Sequence, residues 1–195
     1  MITPIKSNMK TEWIKDVQYF TELPSTQDYA LDLARQDAPE GTLVLAGRQT
    51  RGRGRRANKW FSPSGGLWFS LILRPGTVPL HIPMLSMGMG LAVVRGVQKI
   101  TGMNASLRWP NDIYFKEKKL GGTLVEMEAK KDSVEFVVIG LGLNTNIKAD
   151  GFSAEIREIA TSVENETGNA IDNFGLLEEI LKEFENVYAV FKNAG

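Results

Sequence analysis

SLRWPNDIYFKEKKLGGTLVEMEAKKDSVEFVVIGL, residues 106–141, decides the fold class. Four short runs with strand character lie within it, at 106–109, 112–115, 120–127 and 134–141. Glycine, proline, asparagine and charged residues punctuate them. Glu117 and Lys118 read as the turn between the second run and the third. N-terminal to this block, residues 83–101 carry apolar side chains at 85, 89, 92, 93, 97 and 100, which is helical spacing. Gly88, Gly90 and Gly96 weaken that helix but let a neighbour pack closely. Further back, Gly65-Gly66 turns into a strand at 67–73, and 42–46 reads as a buried strand. Ser25-Thr26-Gln27-Asp28 caps a helix whose apolar face holds Tyr29, Ala30, Leu33 and Ala34. C-terminal to the block, Leu177, Ile180, Leu181, Phe184, Val187, Tyr188 and Phe191 form one continuous stripe. The order is helix, two strands, helix, a run of strands, then helices. Clustered strands predict an α+β fold: a central mixed, largely antiparallel sheet flanked by helices, not a doubly wound parallel one.

No repeat or long linker divides the chain, so a single domain over 1–195 is expected. Lys+Arg 23 balance Asp+Glu 23, which argues against a general polyanion binder and makes any basic patch local. With no cysteine there is no disulfide, thiol nucleophile or cysteine metal site. The single histidine, His81, lies between Pro79 and Pro83 and reads as structural or solvent-facing. A Ser-His-Asp triad or histidine metal site is therefore not expected. The start, Met1 to Lys6, lacks the apolar core of a leader, and no apolar run approaches the roughly 20 residues of a membrane span. A cytoplasmic location, with no membrane partner, is the expectation.

Charge concentrates in Gln49-Thr50-Arg51-Gly52-Arg53-Gly54-Arg55-Arg56-Ala57-Asn58-Lys59-Trp60. Arginine offers a planar fork for phosphate or carboxylate. Glycine lets the backbone move and approach a ligand. Three readings compete: a solvated charge cluster, an RNA- or DNA-binding segment, and a phosphate clamp in an enzyme. The loop follows a buried strand and ends at Trp60-Phe61, and anchored ends favour a site loop. No Walker A pattern is present.

A second constellation is Arg108-Trp109-Pro110-Asn111-Asp112, either a plain turn between strands or a carboxylate set at a strand edge. Lys118-Lys119-Leu120-Gly121-Gly122 follows, with Lys118 expected in solvent and Lys119 against a glycine pair that a ligand could approach. A third is Gly140-Leu141-Gly142-Leu143-Asn144, an ordinary strand exit or a pocket wall.

Taken together and in this order, these segments resemble the catalytic domain of biotin protein ligases. The loop corresponds to a GRGRxGRxW pattern, Arg108–Asp112 to KWPND, Lys119–Gly122 to KLxG, Gly140–Asn144 to GxGxN, and Ser25-Thr26 to an upstream Ser-Thr pair. The likeness covers roughly residues 20 to 190. It departs at Ala57, where the family has glycine, at Asn58, where it often has arginine, and at Arg108, where it has lysine. If that position requires positive φ, Ala57 is strained.

The resemblance implies a class II synthetase-like, biotin/lipoate-ligase fold and a two-step reaction. ATP and biotin form biotinyl-5′-AMP, with Mg²⁺, and a lysine of a biotin carboxyl carrier protein then takes the biotinyl group. It implies catalytic roles for Arg55, Lys119 and Asp112, the last also the candidate magnesium ligand. Biotin would meet Ser25, Thr26, Gln49, Gly52, Arg53, Arg55, Trp60, Lys119 and Gly122. ATP would meet Arg53, Arg55, Arg56, Trp60, Asn111, Asp112, Lys119 and Asn144. Trp60, Trp68 and Trp109 are expected to furnish the pocket. Neither the family's N-terminal DNA-binding domain nor its usual C-terminal β-barrel domain is expected within 1–195, so no DNA partner is expected; a homodimer is compatible with the family. A lipoate or octanoate ligase of the same fold is the alternative enzyme, and a nucleic-acid-binding module the alternative of a different class.

Overall fold

The computed structural model describes residues 2–3, 11, 13–131 and 133–193. The N-terminal stretch read for a leader lies outside them, apart from Ile2 and Thr3. The strands are β1 (Ile2–Thr3), β2 (Asp16–Leu23), β3 (Thr42–Gln49), β4 (Leu67–Leu73), β5 (Ser106–Arg108), β6 (Asp112–Phe115), β7 (Lys118–Lys130) and β8 (Ser133–Leu143). They form one eight-stranded sheet in the order β1-β2-β3-β4-β8-β7-β6-β5. Every neighbouring pair is antiparallel except β2 and β3. That parallel pair needs a crossover, which α1 (Thr26–Arg35) supplies. The mixed, largely antiparallel α+β sheet expected from the sequence is what forms.

Core packing explains the layers. On one face lie α2 (Ile82–Thr101) and α5 (Asn173–Asn193), bringing Leu85, Met89, Val93 and Val97 against Leu177, Ile180, Leu181 and Phe184. On the other, Ala30, Leu31 and Ala34 of α1 cover Val44, Ile72 and Val138. Strand β4 runs between both layers and is buried at all seven positions, so its run LWFSLIL needs no alternation. Short helices α3 (Ala154–Ile159) and α4 (Val163–Thr167) follow β8. The glycines of α2 do let α5 close in. A Cβ at Gly96 would lie 2.9 Å from Ile180 Cγ1, and one at Gly88 2.7 Å from Val187 Cγ1.

Three sequence expectations change. Strand β2 was not foreseen, because its buried residues Val17, Phe20 and Leu23 recur every third position and not every second. The β6–β7 turn is Lys116-Glu117, one residue earlier than expected. Lys116 takes the left-handed conformation (φ 51°) and Lys118 already pairs with Phe115. Lastly, the stretch Pro79–Thr101 is long and apolar enough to cross a membrane by length and composition. Its apolarity is spent in the core, where Ile82, Leu85, Met89, Ala92, Val93 and Val97 are buried.

Helix α5 is also tied at its C-terminal half. The Tyr188 hydroxyl donates to Glu40 Oε1 at 2.5 Å, and burial, aided by that carboxylate, pushes the phenol well above its usual range. The folded protein thus keeps a proton that the unfolded chain gives up near pH 10. This stabilising contribution is complete below about pH 10 and is lost as pH rises above it. Urea unfolding at a series of alkaline pH values should show a steeper loss of stability in wild type than in Tyr188→Phe. Equal slopes would mean the phenol titrates normally in the fold.

Candidate active site

The basic segment is a hairpin. Gly54 N donates to Asn58 O at 2.8 Å, Trp60 N to Gly52 O at 2.9 Å, and Arg53 pairs with Lys59. Its glycines serve close approach and not an unusual φ. A Cβ at Gly52 would sit 2.5 Å from both Ser62 Oγ and Trp60 O, and Gly54 has φ −117°. The left-handed residues are at the tip, Arg56 (φ 54°) and Ala57 (φ 61°). Ala57 therefore does occupy the strained conformation anticipated from its replacement of glycine.

The hairpin overhangs a cavity of about 660 Å³. Its floor is made by β4, β8 and β7, where Gly140, Gly142 and Gly122 leave space that side chains would fill. A Cβ at Gly142 would lie 2.4 Å from Trp60 Nε1, and one at Gly140 2.5 Å from Gln27 Oε1. One wall carries the ionic groups. Strands β6 and β7 pair Asp112 with Gly122 and Ile113 with Gly121, but Tyr114 with Lys119. Leu120 is thus an extra residue on β7, a β-bulge. Without it, alternation would turn Lys119 away from the face that holds Asp112. With it, Lys119 Nζ reaches Asp112 Oδ1 at 2.7 Å and lies 5.2 Å from the centre of the Trp60 ring. Beside them, Arg55 donates to Asn111 Oδ1 at 2.9 Å, and Asn111 Nδ2 donates to Thr123 O at 2.8 Å.

The opposite end is polar but uncharged. Gln49 Oε1 accepts from Thr26 N (2.8 Å) and Thr26 Oγ1 (3.1 Å), and Gln49 Nε2 donates to Ser62 Oγ (2.9 Å). Thr26 Oγ1 meets Ser70 Oγ at 3.0 Å, and Ser70 Oγ donates to Gln27 Oε1 at 3.1 Å. These linked groups fix each other's orientation, as buried polar atoms must be satisfied.

Eleven of the thirteen residues anticipated from sequence line this cavity: Thr26, Gln49, Arg53, Arg55, Arg56, Trp60, Asn111, Asp112, Lys119, Gly122 and Asn144. Ser25 and Gly52 do not. Ser25 Oγ caps α1 by accepting from Asp28 N at 3.2 Å, and buried Gly52 braces the hairpin. Of the three tryptophans expected in the pocket, Trp60 lines it. Trp68 is buried elsewhere with Nε1 donating to Pro63 O, and Trp109 is 80% exposed. Arg108 stacks on Tyr114 at 4.0 Å, outside the cavity. Lys118 is not free in solvent: its Nζ donates to the Arg157 carbonyl at 2.9 Å. Asn144 spends Nδ2 on Thr161 O, tying β8 to the segment before α4. Arg53 is held by Asp28 and Glu126, whose hydrogen bonds raise its already high pKa, Glu126 foremost.

Sequence reasoning missed Gln27, Ser70, Tyr114 and Thr123, all on the cavity wall. Ser70 carried a signal, as the single polar residue within LWFSLIL. Among the described residues, no group of three or more His, Cys, Asp or Glu side chains is arranged for a metal ion. Asp112 stands as one carboxylate, which suits an ion such as Mg²⁺ that keeps its waters and arrives with phosphates, and not a preformed metal cage.

Residues 18–144 match the biotin/lipoate A/B protein ligase family. The chain belongs to that family. The bifunctional ligase/repressor BirA of Bacillus subtilis is 42% identical over 193 residues, which is 98% of this chain and 59% of that relative. The biotin--[acetyl-CoA-carboxylase] ligase of Paracoccus denitrificans is 33% identical over 163 residues, 82% of this chain and 68% of its own length. Among solved structures, the biotin protein ligase from Aquifex aeolicus in complex with biotin and ATP superimposes with a TM-score of 0.76 at 36% identity. The match covers 92% of this chain and 72% of that one. The chain therefore spans about three fifths of the Bacillus relative. The segments that carried the resemblance supply the ionic wall of this cavity (Arg55, Asp112, Lys119) and, of its polar end, Thr26.

Gly142→Ala tests the packing of the floor. The new methyl group would overlap the Trp60 indole, so the ring must leave the site beneath Lys119. Near-UV circular dichroism should lose the same Trp60 band that Trp60→Phe loses, while far-UV ellipticity stays at the wild-type level. An unaltered near-UV spectrum would show that Trp60 does not rest on Gly142.

Proposed function

We propose that this chain is the catalytic domain of a biotin protein ligase, a single domain acting in the cytoplasm. It joins biotin to ATP as biotinyl-5′-AMP and passes the biotinyl group to a lysine of a biotin carboxyl carrier protein. The observation that carries the reading is the division of one cavity into two ends. A neutral, orientation-fixed polar end (Thr26, Gln49, Ser70, Gln27) suits a uncharged ring with hydrogen-bonding edges. The cationic end (Lys119, Arg55, Arg56, Lys59) suits carboxylate and phosphates. The likeness to biotin protein ligases supports biotin over lipoate.

In the first step a biotin carboxylate oxygen attacks the α-phosphorus, the new P–O bond forms, and the bond to the leaving pyrophosphate breaks. Two anions must approach, so positioning and charge stabilisation dominate. Lys119 is already within hydrogen-bond reach of Asp112. An incoming phosphate would share that ammonium, and Asp112 would be the carboxylate for a Mg²⁺ ion that offsets charge on the phosphates. Arg55, held beside Lys119 and Asp112 by its bond to Asn111 Oδ1, would offer its guanidinium to the same phosphate or carboxylate. In the second step the carrier lysine's neutral amine attacks the acyl carbon, the C–N bond forms, the acyl C–O bond breaks with its electrons leaving on AMP, and the amine's surplus proton passes to solvent. The hairpin would keep water from the mixed anhydride meanwhile.

Lys119→Ala should slow pyrophosphate release by about 10²–10³, the cost of removing a preorganised donor, with a smaller change in biotin affinity. Lys118→Ala is the control, because its ammonium bonds the Arg157 carbonyl and not Asp112. Equal rates in the two variants would remove Lys119 from the chemistry. For the assignment as a whole, biotin with MgATP should raise the melting temperature markedly, whereas lipoate with MgATP or single-stranded RNA should not. A shift with RNA alone would favour a nucleic-acid-binding role for the hairpin.

A further inference from the structure

Arg53 lies in the motif whose arginines suit anions, yet its side chain is already taken. Nη1 donates to Asp28 Oδ1 at 2.7 Å and to Glu126 Oε2 at 3.0 Å, and Nη2 donates to Glu126 Oε1 at 2.7 Å. Two carboxylates on one guanidinium leave the spot with a net negative charge. In the same groove Arg35 is matched by Asp32 and Glu128, at 3.1 and 2.6 Å, which adds to the acid excess. An anion approaching Arg53 would meet carboxylates on both sides of it, unlike one approaching Arg55 or Lys119.

We infer that Arg53 is a positioning residue, the pin that fastens the root of the basic hairpin to α1 and β7. The three anchor points belong to different elements: Asp28 to the first turn of α1, Glu126 to β7, and Arg53 to the outgoing strand of the hairpin. Single exposed ion pairs are weak, but a bidentate pair with a second carboxylate is a network with fixed geometry. What the pin sets is downstream. Arg53 pairs with Lys59, and Gly52 O holds Trp60 N. Trp60 in turn lies on Gly142 and under Lys119. Glu126, outside every motif that carried the resemblance, thereby acts on the site through Arg53.

The decisive measurement is amide hydrogen exchange at Gly54 and Trp60, the hairpin's own donors, in protein without added biotin. Glu126→Gln and Arg53→Gln should each raise exchange there by roughly three- to tenfold, with the melting temperature held. Arg53→Lys should fall between them and wild type. Wild type should show the same acceleration in about 0.5 M salt, and Glu126→Gln should respond less. A second arm rests on the biotin reading: biotin should dissociate faster from both Gln variants. Wild-type exchange in both would overturn the pin. So would loss of ligand binding in Arg53→Gln with full binding and unchanged exchange in Glu126→Gln, since Arg53 would then be an anion ligand. If the wild-type protein does not bind biotin at all, the proposed function fails while the exchange arm still decides the pin.

Discussion

One extra residue in one strand governs the site. The bulge at Leu120 lets Gly121 and Gly122 pair with Ile113 and Asp112 while Lys119 pairs with Tyr114. A strand without it would send Lys119 to the other face and leave Asp112 without its ammonium. The bulge is itself held from behind. Leu120 is fully buried, its carbonyl accepts from Asn144 N, and the Lys119 carbonyl accepts from Thr161 N. The core and the segment after β8 thus fix where a charge sits in the cavity. Asn144, which the sequence suggested as a ligand contact, works largely in this support, since its amide also bonds Thr161 O.

The cavity depends on what is omitted as much as on what is present. Gly122, Gly140 and Gly142 lie on adjacent strands β7 and β8; a Cβ at Gly140 would lie 2.5 Å from Gln27 Oε1 and one at Gly142 2.4 Å from Trp60 Nε1, while one at Gly122 would lie 3.3 Å from Asp112 Oδ1. The hairpin closes over that floor with a tip that places two non-glycine residues in left-handed backbone. Such a tip stores strain, while its root is bonded by main-chain pairs and by Arg53. The hairpin thus has a bonded root and a strained tip above one floor.

Much of this was legible in the sequence, for reasons that differ by element. The helices 83–101 and 177–191 announced themselves by period, and β4 by an unbroken apolar run. Strand β2 was hidden by buried positions spaced three apart, a spacing found on a helix face and not the alternation of a strand. The cationic groups were visible because arginine, glycine and lysine cluster locally. What sequence could not show is which arginine is already neutralised. Asp28 and Glu126 are 25 and 73 residues from Arg53 and meet it through the sheet and α1. The same holds for Ser25, whose hydroxyl oxygen also accepts from Asp28 N as the cap of α1. Trp68 and Trp109 looked alike as pocket residues, yet one faces the core and the other solvent.

The central claim is that one cavity brings a carboxylate and an α-phosphate together between Lys119 and Arg55 and keeps the product from water. Native mass spectrometry of the protein after incubation with biotin and MgATP, then rapid desalting, tests it most directly. The account predicts one retained biotinyl-5′-AMP per chain, released as biotinylated carrier when a biotin carboxyl carrier domain is added. Recovery of the bare chain would contradict it.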